Sequence, residues 1–274
     1  MNKKLNFFQT RPKTQSMNVE GYLKRIGLFK QEPDLKYLRR LHRNHLLAIP
    51  FENLDIHYQR KIVLNIEKIY QKVIIRNRGG ICYELNVLFF NLLNHLGFDA
   101  HLGSARVYKE SGISPEFDHM IIFVKLKDGL YLCDVGFGSL FTEPKRLAEN
   151  LIQLDYTKYY KFEKDPDNKW ILRKSSNNSS FESVYTFEEK SREMIEFIPR
   201  CNFHQDSMDS YFKQEKLVTQ LFKEGRITLK SRSLKIDFFG EETIKEILNE
   251  DAFLAQLEQH FGISSSSLLR QRFD

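Results

Sequence analysis

The stretch Arg78-Gly79-Gly80-Ile81-Cys82-Tyr83-Glu84-Leu85-Asn86 runs straight into Val87-Leu88-Phe89-Phe90-Asn91-Leu92-Leu93-Asn94-His95-Leu96-Gly97. Within it Leu85, Leu88, Phe89, Leu92, Leu93 and Leu96 recur at the spacing of one helical face, and Gly97 is a natural stop. A helix this apolar needs other helices to pack on, and the upstream chain offers them. Val19, Tyr22, Leu23 and Ile26 share a face. After Pro33 and a cap at Asp34 come Leu35, Leu38, His42, His45 and Leu46, ended by Pro50. Ile66, Ile69, Tyr70 and Val73 repeat the pattern. The first third therefore predicts helices packed on one another.

From about Ala100 the period changes. His119–Leu126 and Leu130–Val135 read as strands joined at Asp128-Gly129. Tyr159–Glu163, Lys169–Lys174 and Phe181–Phe187 read as three more, with turn chemistry at Asp165-Pro166 and 175–180. So many short strands predict an antiparallel barrel or curled sheet. The tail mixes strands, Arg226–Lys230 and Ser233–Phe238, with a helix over Glu242–Phe261 packed on one side.

Composition narrows the class. The chain has 274 residues with only 13 Gly and 7 Pro, which excludes collagen-like and disordered chains. No apolar run approaches the roughly 18 residues of a membrane span. The opening MNKKLNFFQTRPKTQSM is basic but has no apolar core, so no signal peptide is expected. Three cysteines, Cys82, Cys133 and Cys201, form no CxxC pair and suit a reducing, cytoplasmic setting. Lys+Arg 42 against Asp+Glu 36 gives a net charge of +6. The basic residues are scattered among the acids and no nucleic-acid module is present, so nucleic acid is not expected as a partner. His42 and His45 share a helix face, but no third ligand follows at useful spacing. No metal is expected.

Cys82 stands where chemistry is available. Two glycines let the backbone turn sharply before it, which places the thiol at a helix N-terminus. There the dipole and free N–H groups lower a thiol's pKa and can hold an oxyanion. The alternative is a buried structural cysteine. A cysteine nucleophile wants an imidazole and a group to orient it. His119 opens one strand and Asp134 closes the next, in Asp134-Val135-Gly136-Phe137-Gly138. Each alone reads better as a strand-edge or turn residue; the order Cys–His–Asp carries the inference. If Asp128 and Gly129 form the two-residue turn, residue 134 faces 123. His119 is then four positions away, about 13 Å at roughly 3.3 Å per residue, so another turn, a bulge or bending is required.

At these residues the chain resembles the arylamine N-acetyltransferase family. The resemblance rests on RGGICYELN around Cys82, IPFENL at Ile49–Leu54, DVGFG at Asp134–Gly138 and EGRITL at Glu224–Leu229, and spans about Tyr22 to Gly262. It implies an α+β fold on a cysteine-protease/transglutaminase-like core. The expected parts are an N-terminal helical bundle over 1–97, a central antiparallel β-barrel over 98–205 and a C-terminal α/β lid over 206–274. It implies transfer of acetyl from acetyl-CoA, through a cysteine thioester, to an arylamine, arylhydrazine or N-hydroxyarylamine. Carried over, Cys82 is the nucleophile, His119 its base and Asp134 the orienting carboxylate. Glu52 and Arg78 would pair beneath the site, Asn86 would help fix the triad, and Phe137 would wall the acceptor pocket. The family's Thr-Ser-Pro-x-Ser-x-Phe segment near the coenzyme becomes Asp206-Ser207-Met208-Asp209-Ser210-Tyr211-Phe212 here. Ser207 and Ser210 match that pattern, while Asp206 and Asp209 add negative charge. The same triad order would also serve a cysteine hydrolase or an amide-forming acyltransferase, and the same scaffold a non-catalytic ligand-binding protein.

Overall fold

The computed structural model describes residues 17–269. The signal-peptide expectation falls almost wholly on residues 1–16, outside the described residues. The chain begins with α1 (Val19–Arg25), capped by the Asn18 side chain, and α2 (Leu35–Ala48), capped by Asp34. A short β1 (Phe51–Glu52) follows, then α3 (Leu54–His57) and α4 (Ile66–Tyr70), which continues as a π turn over Gln71–Ile75. The last helix of this part, α5 (Cys82–His95), is buried on nearly every side. Its apolar residues form one core with α1, α2 and α4.

The sheet region comprises β2 (Asp99–Lys109), β3 (Gly112–Ile113), β4 (His119–Leu126), β5 (Gly129–Cys133), β6 (Lys145–Arg146), β7 (Gln153–Asp155), β8 (Lys158–Lys164), β9 (Trp170–Ser175) and β10 (Glu182–Phe187). Eight of these strands run in the order β6-β5-β4-β2-β10-β9-β8-β7, with β3 paired to β2. A bridge between Glu149 and Phe162 nearly closes this antiparallel path into a barrel. The alternation of β4 divides two cores. Met120, Ile122 and Val124 face the helices, while Ile121 and Phe123 fill the barrel with Leu132, Tyr160, Leu172 and Tyr185. His119 shares the parity of the barrel-facing set.

Beyond the barrel come α6 (Ile198–Asp206), α7 (Tyr211–Gln214), β11 (Leu217–Phe222), β12 (Gly225–Lys230), β13 (Ser233–Phe238), β14 (Glu241–Glu246), α8 (Glu250–Phe261) and α9 (Ser265–Leu269). The C-terminal strands make a five-stranded sheet, β1-β11-β12-β13-β14, so a strand from the helical part completes it. Here the structure corrects the expected helix over Glu242–Phe261. Glu241–Glu246 is an edge strand paired with β13, and the helix starts only at Glu250. The Asn249 side chain accepts from the Ala252 N–H and sets that start, while Ile244 and Leu248 stay exposed instead of packing.

The hairpin turn is also corrected. Leu126 pairs with Gly129, so Lys127 and Asp128 form the turn and Gly129, with a φ of +151°, begins β5. This moves the register by one residue on each strand. Ile122 faces Cys133, and Asp134 follows one step beyond the last pair. His119 and Asp134 become diagonal neighbours at about 7–8 Å between backbones, within reach of their side chains. The distance that looked prohibitive came from a misplaced turn, and no bulge is required.

Candidate active site

The start of α5 is set by a close approach of two strands of chain. Glu52 N–H donates to the Gly80 carbonyl (3.0 Å), and Phe51 bridges to Gly80. A Cβ on Gly79 would stand 2.0 Å from the Pro50 carbonyl oxygen, whereas one on Gly80 would meet the Glu84 carboxylate at 2.7 Å. Neither glycine has a positive φ. Their role is therefore space for the Pro50–Glu52 segment, and not the sharp turn that the doublet suggests. Glu84 accepts the Ile81 N–H (3.0 Å) and covers the helix start.

Beneath this junction lies a buried ionic cluster. Arg78 donates through Nη2 to Glu52 (2.7 Å) and Asp55 (2.8 Å), and Lys72 meets Asp55 (2.7 Å) and Glu84 (2.9 Å). Burial alone would lower the Arg78 pKa, but Glu52 and Asp55 outweigh it and hold the guanidinium above its usual range. The Glu52–Arg78 pair is thus one edge of a larger network that also ties the π turn to α5.

Asn86 stands one turn after Cys82. Its Nδ2 donates to the Met120 carbonyl (2.6 Å) and to Asp134 Oδ1 (3.0 Å), and its Oδ1 accepts the Val135 N–H (2.9 Å). One side chain so joins α5 to the first residues of β4 and the end of β5. Gly136 presses on the same helix start; a Cβ there would lie 2.8 Å from the Cys82 Cα. Cys82, His119 and Asp134 are consequently gathered around one junction, at 2%, 3% and 2% exposure.

His119 Nε2 and Asp134 Oδ2 are 2.7 Å apart. Oδ1 of the same carboxylate accepts from Asn86 and from the Gly136 N–H (3.0 Å), and the Tyr185 hydroxyl approaches Oδ2 at 3.3 Å. Burial would raise the Asp134 pKa, but the neighbouring His119 and these hydrogen bonds outweigh it and hold the group ionised below its ordinary value. Bonding through Nε2 leaves Nδ1 as the other nitrogen of the His119 ring. Phe137, partly buried, sits edge-on to the His119 ring at 5.1 Å and 5.8 Å from Tyr185.

The thiol departs from the expected direction. Burial pushes the Cys82 pKa well above the usual thiol range; Cys201, Asp118 and Asp134 add to the rise, and a backbone hydrogen bond from Met120 opposes it. In this closed site, desolvation is the largest influence on the thiol.

Two supporting residues carry no mark in the local sequence. His42, on α2, accepts the Asp134 N–H at Nε2 (3.1 Å), and its Nδ1 donates to the Thr142 carbonyl (2.9 Å). That pair of bonds requires the neutral ring, and burial lowers the His42 pKa to about 4. It is a buried core histidine. Tyr185 is on β10, two strands from β4 in the barrel. Ser207 and Ser210 lie elsewhere. Ser207 is half-buried and accepts the Asp209 N–H (3.2 Å), while Ser210 is buried with its Oγ 2.9 Å from His204 Nδ1. Neither touches the triad residues among the hydrogen bonds of the described chain.

The chain as a whole resembles proteins already known. A family model described as N-acetyltransferase matches residues 34–268. The arylamine N-acetyltransferase of Escherichia coli is 30% identical, over 82% of this chain and 81% of its own. A solved arylamine N-acetyltransferase from Mycolicibacterium (M.) smegmatis superposes with a TM-score of 0.86 at 29% identity, covering 93% and 95% of the two chains. That from Mycobacterium marinum, solved in complex with CoA, gives 0.85 at 28%, covering 92% and 94%. The chain belongs to the arylamine N-acetyltransferase family and is an acetyltransferase.

Proposed function

We propose that the protein moves acetyl from acetyl-CoA to arylamines, arylhydrazines or N-hydroxyarylamines through a thioester on Cys82, with His119 as base and Asp134 as its orienting carboxylate. The observation that carries this reading is the 2.7 Å His119–Asp134 contact, held beside the first turn of a helix that begins at Cys82. The Asp134 carboxylate keeps the ring proton on Nε2, which leaves Nδ1 to receive the thiol proton. The resulting thiolate attacks the thioester carbonyl. CoA leaves as its thiolate and takes that proton from His119, leaving acetyl on Cys82. An aromatic amine then attacks the acetyl carbon, His119 accepts its proton, and the Cys82 thiolate departs and is reprotonated. Free N–H groups at the helix start are suited to the oxyanion of each step.

Phe137 would wall the acceptor pocket, and aromatic side chains around the His119 ring favour a flat aromatic acceptor. Ser207 and Ser210 belong to the segment proposed to meet the coenzyme; Ser210, bonded to His204, would act by holding that segment in place. Glu52, Arg78 and Asn86 are assigned structural support. The three-part organisation over 1–97, 98–205 and 206–274 is proposed on the same grounds. All three cysteines are free and buried, which supports a cytoplasmic setting. No helix among the described residues is long and apolar enough to cross a membrane.

The test is intact mass after mixing the protein with acetyl-CoA and no acceptor. One acetyl group is expected on wild type and none on Cys82→Ser, and an added arylamine should discharge it. Double-reciprocal lines should be parallel as donor and acceptor are varied. No adduct on a folded protein with a reactive Cys82 would overturn the reading and direct attention to other acyl donors or to hydrolysis.

A further inference from the structure

Immediately before His119 the chain makes an unfavourable bend. Phe117 has a φ of +65°, a left-handed conformation that is unfavourable for a side chain like phenylalanine. Such a bend persists only where its surroundings hold it. The Phe117 N–H donates to Ser104 Oγ (2.8 Å), and its ring lies 5.0 Å beneath the Arg192 guanidinium. Its carbonyl accepts the Tyr83 hydroxyl (2.9 Å), which also reaches the Asp118 carbonyl (3.1 Å). Tyr83 is the residue after Cys82. The neighbour of the proposed nucleophile therefore grips the two residues that precede the proposed base.

Asp118 supplies the second grip. Its side chain is almost wholly buried. Oδ1 accepts from Arg200 Nε (2.6 Å) and lies 3.0 Å from His204 Nε2; Oδ2 accepts from Lys109 Nζ (2.9 Å). These partners come from α6 and from β2. His204 continues through Nδ1 to Ser210, in the segment proposed to meet the coenzyme. One carboxylate thereby ties β2, α6 and the start of α7 to the residue before His119.

We infer that Asp118 and the Tyr83 hydroxyl are positioning residues that set His119 relative to the Cys82 thiol. The inference rests on the reading of Cys82 and His119 as nucleophile and base. Neither group need touch a substrate. Released, residues 117–119 would relax toward ordinary extended backbone and carry the imidazole with them. Displacements of that size cost catalysis heavily because the reacting atoms lose alignment.

Two variants test it. Tyr83→Phe removes one oxygen, changes no charge, and keeps the ring against Phe197 and His204. Asp118→Asn removes the carboxylate and keeps the shape. The readouts are kcat and KM for acetyl-CoA, the melting temperature, and the pH profile of Cys82 alkylation by iodoacetamide. That last profile needs no acetyl-CoA, so it remains informative if acetyl-CoA proves to be the wrong donor. In Tyr83→Phe, kcat should fall about tenfold or more with KM nearly unchanged, and alkylation should move to higher pH because the thiol loses its imidazole. Asp118→Asn should lose at least as much kcat, and Asp118→Glu should recover part of it. A role of Asp118 as mere negative charge near the thiol would instead move alkylation to lower pH with kcat retained. That result, or a folded Tyr83→Phe with unmoved kcat and alkylation, would overturn the inference. Should Asp118→Asn fail to fold, Tyr83→Phe decides alone.

Discussion

At the scale of single residues, the Asp134 carboxylate is bound on every side. Its two oxygens serve His119, Asn86, Gly136 and Tyr185, and its own N–H is carried by His42. So many partners place the carboxylate and fix its charge, and through it they fix which imidazole nitrogen bears the proton. Asp134→Asn keeps the size of the group and most of its hydrogen bonds but presents a donor where His119 needs an acceptor. Turnover should fall about 10³–10⁴-fold with little loss of stability. Steady-state kinetics beside a thermal melt would check this, and near-normal turnover would remove Asp134 from the catalytic set. The thiol illustrates a competition of similar kind. A helix N-terminus stabilises a thiolate by fractions of a kcal/mol to about 2 kcal/mol in partly buried sites, and full burial acts in the opposite direction.

At the scale of elements, the glycine doublet decides where α5 begins. Gly79→Ala would force a methyl group against the Pro50 carbonyl, backbone that cannot swing aside, whereas Gly80→Ala would meet only the end of the Glu84 side chain. The first should cost about 1–3 kcal/mol, as overpacking does, and lower activity by shifting Cys82; the second should cost less. Urea denaturation of both variants measures the difference, and equal stabilities would contradict this account of Gly79. Elements with clean periodicity and turn chemistry were legible in the sequence: α2, α5 and the strands β8, β9, β10 and β13. Others were not, for identifiable reasons. Much of β2 is buried on both faces, so its alternation disappears. The start of α8 turns on one cap, Asn249, and the hairpin register on which two residues flank an Asp-Gly pair. The candidate site was legible where local motifs carry it, at Cys82, Asp134 and Asn86. It was not where the partner arrives from afar: His42 lies 92 residues from Asp134 and Tyr185 lies 51.

At the scale of the whole molecule, the buried ionisable groups share one dependence on pH. His42 and His45 are held neutral by burial, so the unfolded chain binds their protons more readily than the folded one. Their contribution is fully present above about pH 6.5 and is lost as pH falls toward the folded value, which for His42 is about 4. For Asp118, Asp134 and Asp155, burial raises the pKa but nearby partners outweigh it, leaving each below its ordinary value. Those groups stabilise above the usual carboxylate range and lose that contribution only at lower pH still. Acidification should therefore weaken the fold in two stages, histidines first. Between pH 7 and pH 5 the His42 contribution alone amounts to about 2 kcal/mol for a folded value of about 4. His42→Gln abolishes that titration while keeping groups able to serve Asp134 and Thr142. The variant should be less stable than wild type at pH 7 yet lose less on going to pH 5, as measured by urea denaturation at both values. An identical loss in both proteins would show that His42 is not held neutral. It would also remove the argument that its neutral ring carries the Asp134 backbone.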